Sequence, residues 1–131
     1  MRARLVIAED YEPTQYILRR LLEPHYDVVA VVGNGRALLE AVEGQHPNIV
    51  LLDISMPIMN GMVAAKRLTE AHPEVKILFI SSHAERVYIE EACKVGASGY
   101  LLKNYVEREL LNAIDYILSG GTYGLTESRD Q

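Results

Sequence analysis

Side chains that could carry out metal or phosphate chemistry recur where short apolar runs end. Glu9 and Asp10 follow the first run, Asp53 follows the third, and Ser81 and Lys103 follow the fourth and fifth. Carboxylates without a neighbouring thiol or histidine favour a hard cation, and Mg²⁺ (or Mn²⁺) is the natural candidate. A carboxylate can also act as a nucleophile and form an acyl phosphate. The pattern predicts a site that holds a divalent cation and a phosphoryl group.

The charges of these residues would nearly balance around such a cation. Glu9, Asp10 and Asp53 carry three negative charges, against two positive charges from the metal and one from Lys103. Clustered carboxylates repel one another and resist ionising unless a cation joins them. A phosphoryl group would make the site strongly anionic, and Lys103 and the Ser81 hydroxyl are the available donors. The protein's share of the chemistry would be positioning and charge compensation.

Ten segments of strand-like and helix-like pattern must position these side chains. The apolar runs are continuous and rich in β-branched residues and leucine, as in strands buried on both faces. They cover residues 4–8, 27–32, 48–52, 76–80 and 99–102. Helices are predicted over residues 14–22, 36–43, 61–71, 85–95 and 106–118, with Asn104 as the N-cap of the last helix and Gly120 and Gly121 at its end.

This alternation predicts an α/β fold, a doubly wound five-stranded parallel sheet flanked by helices. Open sheets of this kind bind ligands at the carboxyl ends of their strands. The five candidate side chains would therefore meet at one edge.

Composition narrows the possible functions. The chain has 131 residues and a net charge of −5, which fits one acidic domain and argues against direct binding to nucleic acid. Its apolar runs are too short to cross a membrane, and no secretion signal precedes Leu5, so we expect a cytoplasmic protein. The single cysteine, Cys93, agrees with a reducing compartment.

Four stretches of the sequence together resemble the receiver domain of two-component response regulators. They are LVIAED, NIVLLDISMPIMNG, KILFISSHAE and GASGYLLK, and they occur in the family's order. The resemblance implies the flavodoxin-like receiver fold and makes Asp53 the phosphoacceptor, charged by a phosphohistidine on a sensor histidine kinase. It implies that Mg²⁺ is held by Asp10, Asp53 and the backbone carbonyl of Ser55. Glu9 stands at the other acidic position, where an aspartate is more usual.

The same resemblance assigns the residues that respond to phosphorylation. Ser81 matches the switch hydroxyl, Tyr100 the switch aromatic residue and Lys103 the lysine that pairs with the phosphoryl group. Ser55 and His83 stand at the two positions where the family adjusts its rate of dephosphorylation. Such a domain catalyses only its own phosphotransfer and autodephosphorylation and is not a turnover enzyme.

The end of the chain, SGGTY, resembles receivers of the NarL/LuxR-type transcriptional regulators. In that subgroup a helix-turn-helix domain follows the receiver, so the chain is either a fragment or a stand-alone receiver. We expect residues 1–121 to form the receiver domain and residues 122–131 to form a loosely structured tail or the start of a linker. A phosphorylated homodimer is expected, with DNA bound only through a domain outside this chain. The expected readout surface is residues 85–95, 99–103 and 106–118, or the first and last helices.

Two alternatives belong to other functional classes. A phosphatase of the haloacid dehalogenase type also uses an aspartate nucleophile at a strand end, but it needs a second acid two residues later. That position is Ser55 here. A non-phosphorylated interaction module could use the same fold as a scaffold, but such receivers usually lose acidic, acceptor or lysine residues that this chain keeps.

Overall fold

The five predicted strands form one parallel sheet, so the predicted fold class is confirmed. A computed structural model describes residues 2–125. The strands are β1 (Arg4–Ala8), β2 (Asp27–Val32), β3 (Ile49–Leu52), β4 (Lys76–Ser81) and β5 (Gly99–Leu102), in the spatial order β2-β1-β3-β4-β5. All four neighbouring pairs are parallel. Strand β3 lies at the centre, and β5 is an edge strand.

Five helices cover both faces of the sheet. They are α1 (Glu12–Leu22), α2 (Gly35–Gln45), α3 (Gly61–Ala71), α4 (Arg86–Lys94) and α5 (Val106–Leu118). One apolar core joins α2, α3 and α4 to the sheet, and a second joins α1 and α5 to the opposite face. Successive core residues of β1, β3 and β4 belong alternately to the two cores, as the pleat requires. The central strand, β3, is therefore apolar along its whole length.

The helix boundaries differ from the predicted ones where local geometry outweighs residue pattern. Helix α1 begins two residues early because Pro13 lies in its first turn, where a missing N–H costs nothing. The prediction that Asn104 caps the last helix is wrong. Asn104 lies inside a 3-10 turn (Lys103–Tyr105), and α5 then begins after Tyr105 without a side-chain cap.

The segment after α5 returns to the sheet. Tyr123 forms a parallel bridge with Gly99 of β5, so the expectation of loose structure beyond Thr122 is wrong at this residue. The rest of the predicted tail, residues 126–131, lies outside the described residues. Within residues 2–125, no helix combines the length and apolar character needed to cross a bilayer.

Candidate functional site

Three carboxylates meet at the carboxyl ends of β1 and β3. Ala8 pairs with Leu52, so the residues that follow these two strands lie side by side. The backbone N–H of Asp53 donates to the carbonyl of Ala8 at 3.0 Å, which continues the pairing by one residue. One carboxylate oxygen from each of Glu9, Asp10 and Asp53 lies within 4.8 Å of the other two. The predicted acidic cluster is thus present in the structure.

Lys103 reaches this cluster from the end of β5. Its Nζ lies 3.0 Å from Glu9 Oε1 and 3.4 Å from Asp53 Oδ2. Burial lowers the pKa of the Lys103 ammonium, but the two carboxylates outweigh that effect and raise it. Lys103 therefore stays positively charged and holds the two inner acids together.

The two carboxylate oxygens of Asp53 have different partners. Its side chain is largely buried, and Oδ1 accepts a hydrogen bond from the backbone N–H of Ile54 at 2.8 Å. The other oxygen, Oδ2, faces Lys103. Burial raises the pKa of the Asp53 carboxyl, and attraction to Lys103 offsets only part of the rise. The Asp53 carboxylate is therefore fixed in orientation, but Lys103 offsets only part of the cost of burying its negative charge.

Glu9 has a buried oxygen that the described residues leave without a hydrogen bond. Its side chain is 2% exposed, and Oε2 accepts the backbone N–H of Tyr11 at 3.0 Å. Oε1 has Lys103 as its ion-pair partner but no hydrogen-bond partner among residues 2–125. Burial raises the pKa of Glu9, and the charge of Asp53 adds to the rise. Glu9, Asp10 and Asp53 together offer an all-oxygen cluster, which fits a hard divalent cation.

Gln15 supports the site, although sequence analysis does not select it. Its side-chain amide, on the first turns of α1, donates to the backbone carbonyl of Glu9. This contact holds the chain at the point where β1 gives way to the acidic pair. Gln15 and Glu9 are six residues apart across a loop, a separation with no characteristic sequence pattern, so the contact is evident only in the structure.

A second group of predicted residues surrounds His83. Ser81 is fully buried at the end of β4, and its Oγ accepts the backbone N–H of His83 at 3.0 Å. The hydroxyl of Tyr100, which is 3% exposed, donates to the backbone carbonyl of His83 at 2.7 Å. Burial raises the pKa of the Tyr100 hydroxyl, and a hydrogen bond with Ser81 opposes the rise. The two predicted switch residues are therefore linked through one peptide segment.

Ser55 and His83 line a groove that opens beside the acidic cluster. The groove has a volume of about 820 Å³, and Asp10 and Met56 also line it. The His83 ring is stacked on Tyr88 of α4 at 4.3 Å between centroids. Both residues predicted to tune the rate thus line the same groove as Asp10, one of the three clustered acids. Metal ligation by the carbonyl of Ser55 stays a prediction.

Two glycines permit the loop after Asp53 to pack tightly. A Cβ on Gly61 would lie 2.1 Å from the carbonyl oxygen of Asp53, and one on Gly35 would lie 2.4 Å from that of Met59. Gly61 also donates its N–H to the Ile54 carbonyl at 2.7 Å. Gly61, the first residue of α3, thus lets this helix pack against the Asp53 backbone.

Comparison with known proteins agrees with this geometry. The model for the response regulator receiver domain matches residues 5–115. The transcriptional regulatory protein DegU of Brevibacillus brevis is 36% identical over 124 residues, which cover 93% of this chain and 52% of that protein. LnrK of Bacillus subtilis is 35% identical over 120 residues, covering 90% of this chain and 54% of that protein. The chain thus spans about half the length of these relatives.

Solved structures show the same arrangement of elements. A LuxR-family two-component response regulator from Aurantimonas superposes with a TM-score of 0.90 at 27% identity, with both chains covered completely. The receiver domain of the response regulator NarL from Mycobacterium tuberculosis gives a TM-score of 0.86 at 29% identity, covering 91% of this chain and 98% of that one. With the acidic cluster at the predicted edge of the predicted sheet, the chain belongs to the family of response regulator receiver domains, and its relatives include transcriptional regulators of the NarL/LuxR type.

Proposed function

We propose that this domain is a phosphorylation-activated switch in which Asp53 accepts a phosphoryl group from a phosphohistidine of a sensor histidine kinase. The observation that carries the proposal is the setting of Asp53 Oδ2, which lies 3.4 Å from Lys103 Nζ inside a cluster of three carboxylates. One oxygen of the acceptor is held by Ile54, so the other is the nucleophile. An O–P bond forms there as the P–N bond of the donor breaks, and the electron pair returns to the imidazole nitrogen.

The acidic residues suit a resident Mg²⁺ or Mn²⁺. Asp10, Asp53 and the Ser55 carbonyl would hold the ion, with Glu9 at the other acidic position, directly or through water. Bound there, the ion would supply charge compensation for the phosphoryl oxygens. Lys103 supplies a second positive charge at Asp53 Oδ2. Together they lower the repulsion that an incoming phosphoryl group meets.

Ser81 and Tyr100 would transmit the modification. The Ser81 hydroxyl accepts from His83 and bonds to the Tyr100 hydroxyl, and its proton would turn from Tyr100 to a phosphoryl oxygen. That bond would fix the peptide segment whose carbonyl receives the Tyr100 hydroxyl. Phosphorylation then shifts the balance between two arrangements of the loop and of Tyr100, as expected for a charge-driven switch.

Turnover catalysis is the less favoured function. A phosphatase that uses the same nucleophile needs an acid to protonate the leaving group, and Ser55 at the matching position has no carboxyl group. We infer that the domain catalyses its own phosphotransfer and autodephosphorylation only. Ser55 and His83, at the rim of the groove, would set how readily water reaches the acyl phosphate.

The partners follow from the relatives rather than from this chain alone. Several relatives are named as transcriptional regulators and are about twice as long as this chain. We therefore place DNA binding in a domain outside these residues, with residues 1–121 as the receiver and residues 122–131 leading into a tail or linker. Homodimerisation on phosphorylation and a cytoplasmic location complete the proposal.

Labelling with a small phosphodonor tests the proposed function. With phosphoramidate and Mg²⁺, intact-mass measurement should show one added phosphoryl group on the unaltered chain. Asp53→Asn should abolish the addition, whereas Asp27→Asn, at the opposite end of the sheet, should preserve it. Chelating the metal should abolish it as well. Absence of labelling, or sustained hydrolysis of a phosphomonoester, would contradict the switch.

A further inference from the structure

The segment after α5, residues 121–125, lies along the outer edge of β5. We call these residues the strap. The Tyr123 N–H donates to the Ser98 carbonyl at 2.9 Å, and the Tyr100 N–H donates to the Tyr123 carbonyl at 2.8 Å. These two bonds form a parallel bridge with Gly99. The strap therefore occupies hydrogen-bonding groups that an edge strand would otherwise present to other chains.

Contacts at its middle and at its last residue also hold the strap in place. The Tyr123 hydroxyl donates to Glu109 Oε1 on α5 at 2.6 Å. Leu125 packs against the core beneath α4, and its carbonyl lies 3.6 Å from the Cys93 thiol sulfur. The strap thus runs from α5 across the edge of β5 to α4. Gly99 makes room for it, since a Cβ there would lie 3.2 Å from the Tyr123 carbonyl oxygen.

The strap is bonded directly to the switch residue. The backbone of Tyr100 holds Tyr123, while the side chain of Tyr100 holds the His83 carbonyl. His83 in turn is bonded to the Ser81 hydroxyl. A continuous series of hydrogen bonds therefore links the predicted phosphoryl-sensing hydroxyl to the strap, through two side chains and the peptide between them.

We propose that the β5 edge is a docking surface for residues 121–125 and that phosphorylation of Asp53 strengthens this docking through Tyr100. The proposal rests on the proposed function. A Ser81 hydroxyl that donates to the phosphoryl group fixes His83, and a fixed His83 carbonyl keeps the Tyr100 side chain inward. Since Tyr100 then moves less, its N–H remains aligned with the Tyr123 carbonyl. Coupling of this kind requires only that the strap becomes less mobile, without a change in its average structure.

Amide hydrogen exchange on the unaltered chain tests the coupling. With Mg²⁺, the phosphoryl analogue beryllofluoride should slow exchange of the Tyr100 and Tyr123 amides by about five-fold or more. The fluorine NMR signal of the bound analogue reports occupancy of the Asp53 site independently of the exchange measurement. Bound analogue with unchanged or faster exchange at these amides overturns the strap proposal alone. Absence of bound analogue overturns the proposed function and the strap proposal together.

Coupling is reciprocal, which provides a second test. Tyr123→Pro removes the N–H that bonds Ser98, whereas Thr122→Ala alters an exposed neighbour and serves as the matched control. The proline variant should bind beryllofluoride more weakly, by the same factor as the exchange effect, while the control should not. Thermal melting of both variants checks the fold. Equal affinity for the analogue in the two folded variants would contradict the coupling.

Discussion

Burial determines how the two inner carboxylates behave. Asp53 and Glu9 are almost fully buried, and burial raises the pKa of both beyond what Lys103 can offset. At neutral pH each stores an unfavourable charge that a cation or a hydrogen-bond donor could relieve. In the proposed function, Mg²⁺ would offset this excess negative charge, which lowers the stability of the domain when no cation is bound.

The raised pKa of Asp53 makes a specific prediction about stability and pH. A carboxyl group whose pKa is higher in the folded state favours folding when protonated, and this advantage is lost as pH rises through that pKa. Without metal, Asp53→Asn should therefore stabilise the domain at about pH 7 by on the order of 1 kcal/mol. The difference should shrink as pH falls through the raised pKa of Asp53 and should be smallest below about pH 3, where the carboxyl is protonated in both the folded and the unfolded state. Denaturant unfolding in the presence of a chelator measures this difference in the free energy of unfolding. An Asp53→Asn variant that is less stable than the unaltered domain at neutral pH would contradict the account.

Sequence alone identified the site's residue types but not their pairings. Strand ends placed Glu9, Asp53 and Lys103 at one edge, and the structure brings them together. That Lys103 contacts Glu9 more closely than Asp53 could not be predicted, because it depends on side-chain rotamers and on the extra methylene of glutamate. The hydrogen bond from Gln15 to the Glu9 carbonyl was missed because it too depends on a side-chain rotamer.

At the scale of elements, the loop between β3 and α3 is held by backbone contacts that only glycine allows. The carbonyl of Asp53 approaches Gly61 so closely that any side chain would collide with it. Ile58, in the same loop, has a φ of 70°, a conformation that β-branched residues rarely adopt. The position of the acceptor thus depends on tight packing at the start of α3.

A pair of glycine substitutions tests this dependence. Gly61→Ala should destabilise the domain by about 1–3 kcal/mol and slow labelling, because the new Cβ forces Asp53 to move. Gly44→Ala is the matched control, since it lies in α2 with open space around it and should stabilise by about 0.5–1 kcal/mol. Denaturant unfolding and labelling rates of both variants decide the matter. Equal behaviour of the two variants would contradict the packing argument.

Element types were predictable because buried parallel strands and amphipathic helices have distinct periods. The residues at which these strands and helices begin and end were harder to predict. The Asn104 prediction failed because the chain makes a 3-10 turn before α5, which places Tyr105 at the cap position. Polarity suggested a loose segment after Thr122, whereas one backbone bridge at Tyr123 ties it to β5. Such single contacts leave little trace in residue pattern.

At the scale of the whole molecule, two surfaces could report phosphorylation. Helices α1 and α5 expose large apolar side chains, among them Tyr16, Ile17 and Tyr116. The other surface, formed by α4, β5 and α5, is crossed by the strap. Helix α5 belongs to both surfaces and packs on the sheet that carries Tyr100.

We expect phosphorylation to change the assembly of the domain. Light scattering of the chain with Mg²⁺ and beryllofluoride should show a shift from monomer towards dimer. Tyr116→Ser, at an exposed position of α5, should weaken that dimer if α1 and α5 form the interface, whereas Val87→Ser on α4 should leave it intact. An unchanged mass with bound analogue would contradict phosphorylation-driven dimerisation.

Chemical mapping of the phosphoryl group tests the central claim most directly. Borohydride reduces an aspartyl phosphate to homoserine, so labelling, reduction and peptide mass analysis identify the modified residue. The account predicts homoserine at position 53 only, dependent on Mg²⁺ and on the phosphodonor. Conversion at Asp10 or at any other aspartate, or a stable phosphate on a hydroxyl or histidine, would contradict the assignment of Asp53 as the phosphoacceptor.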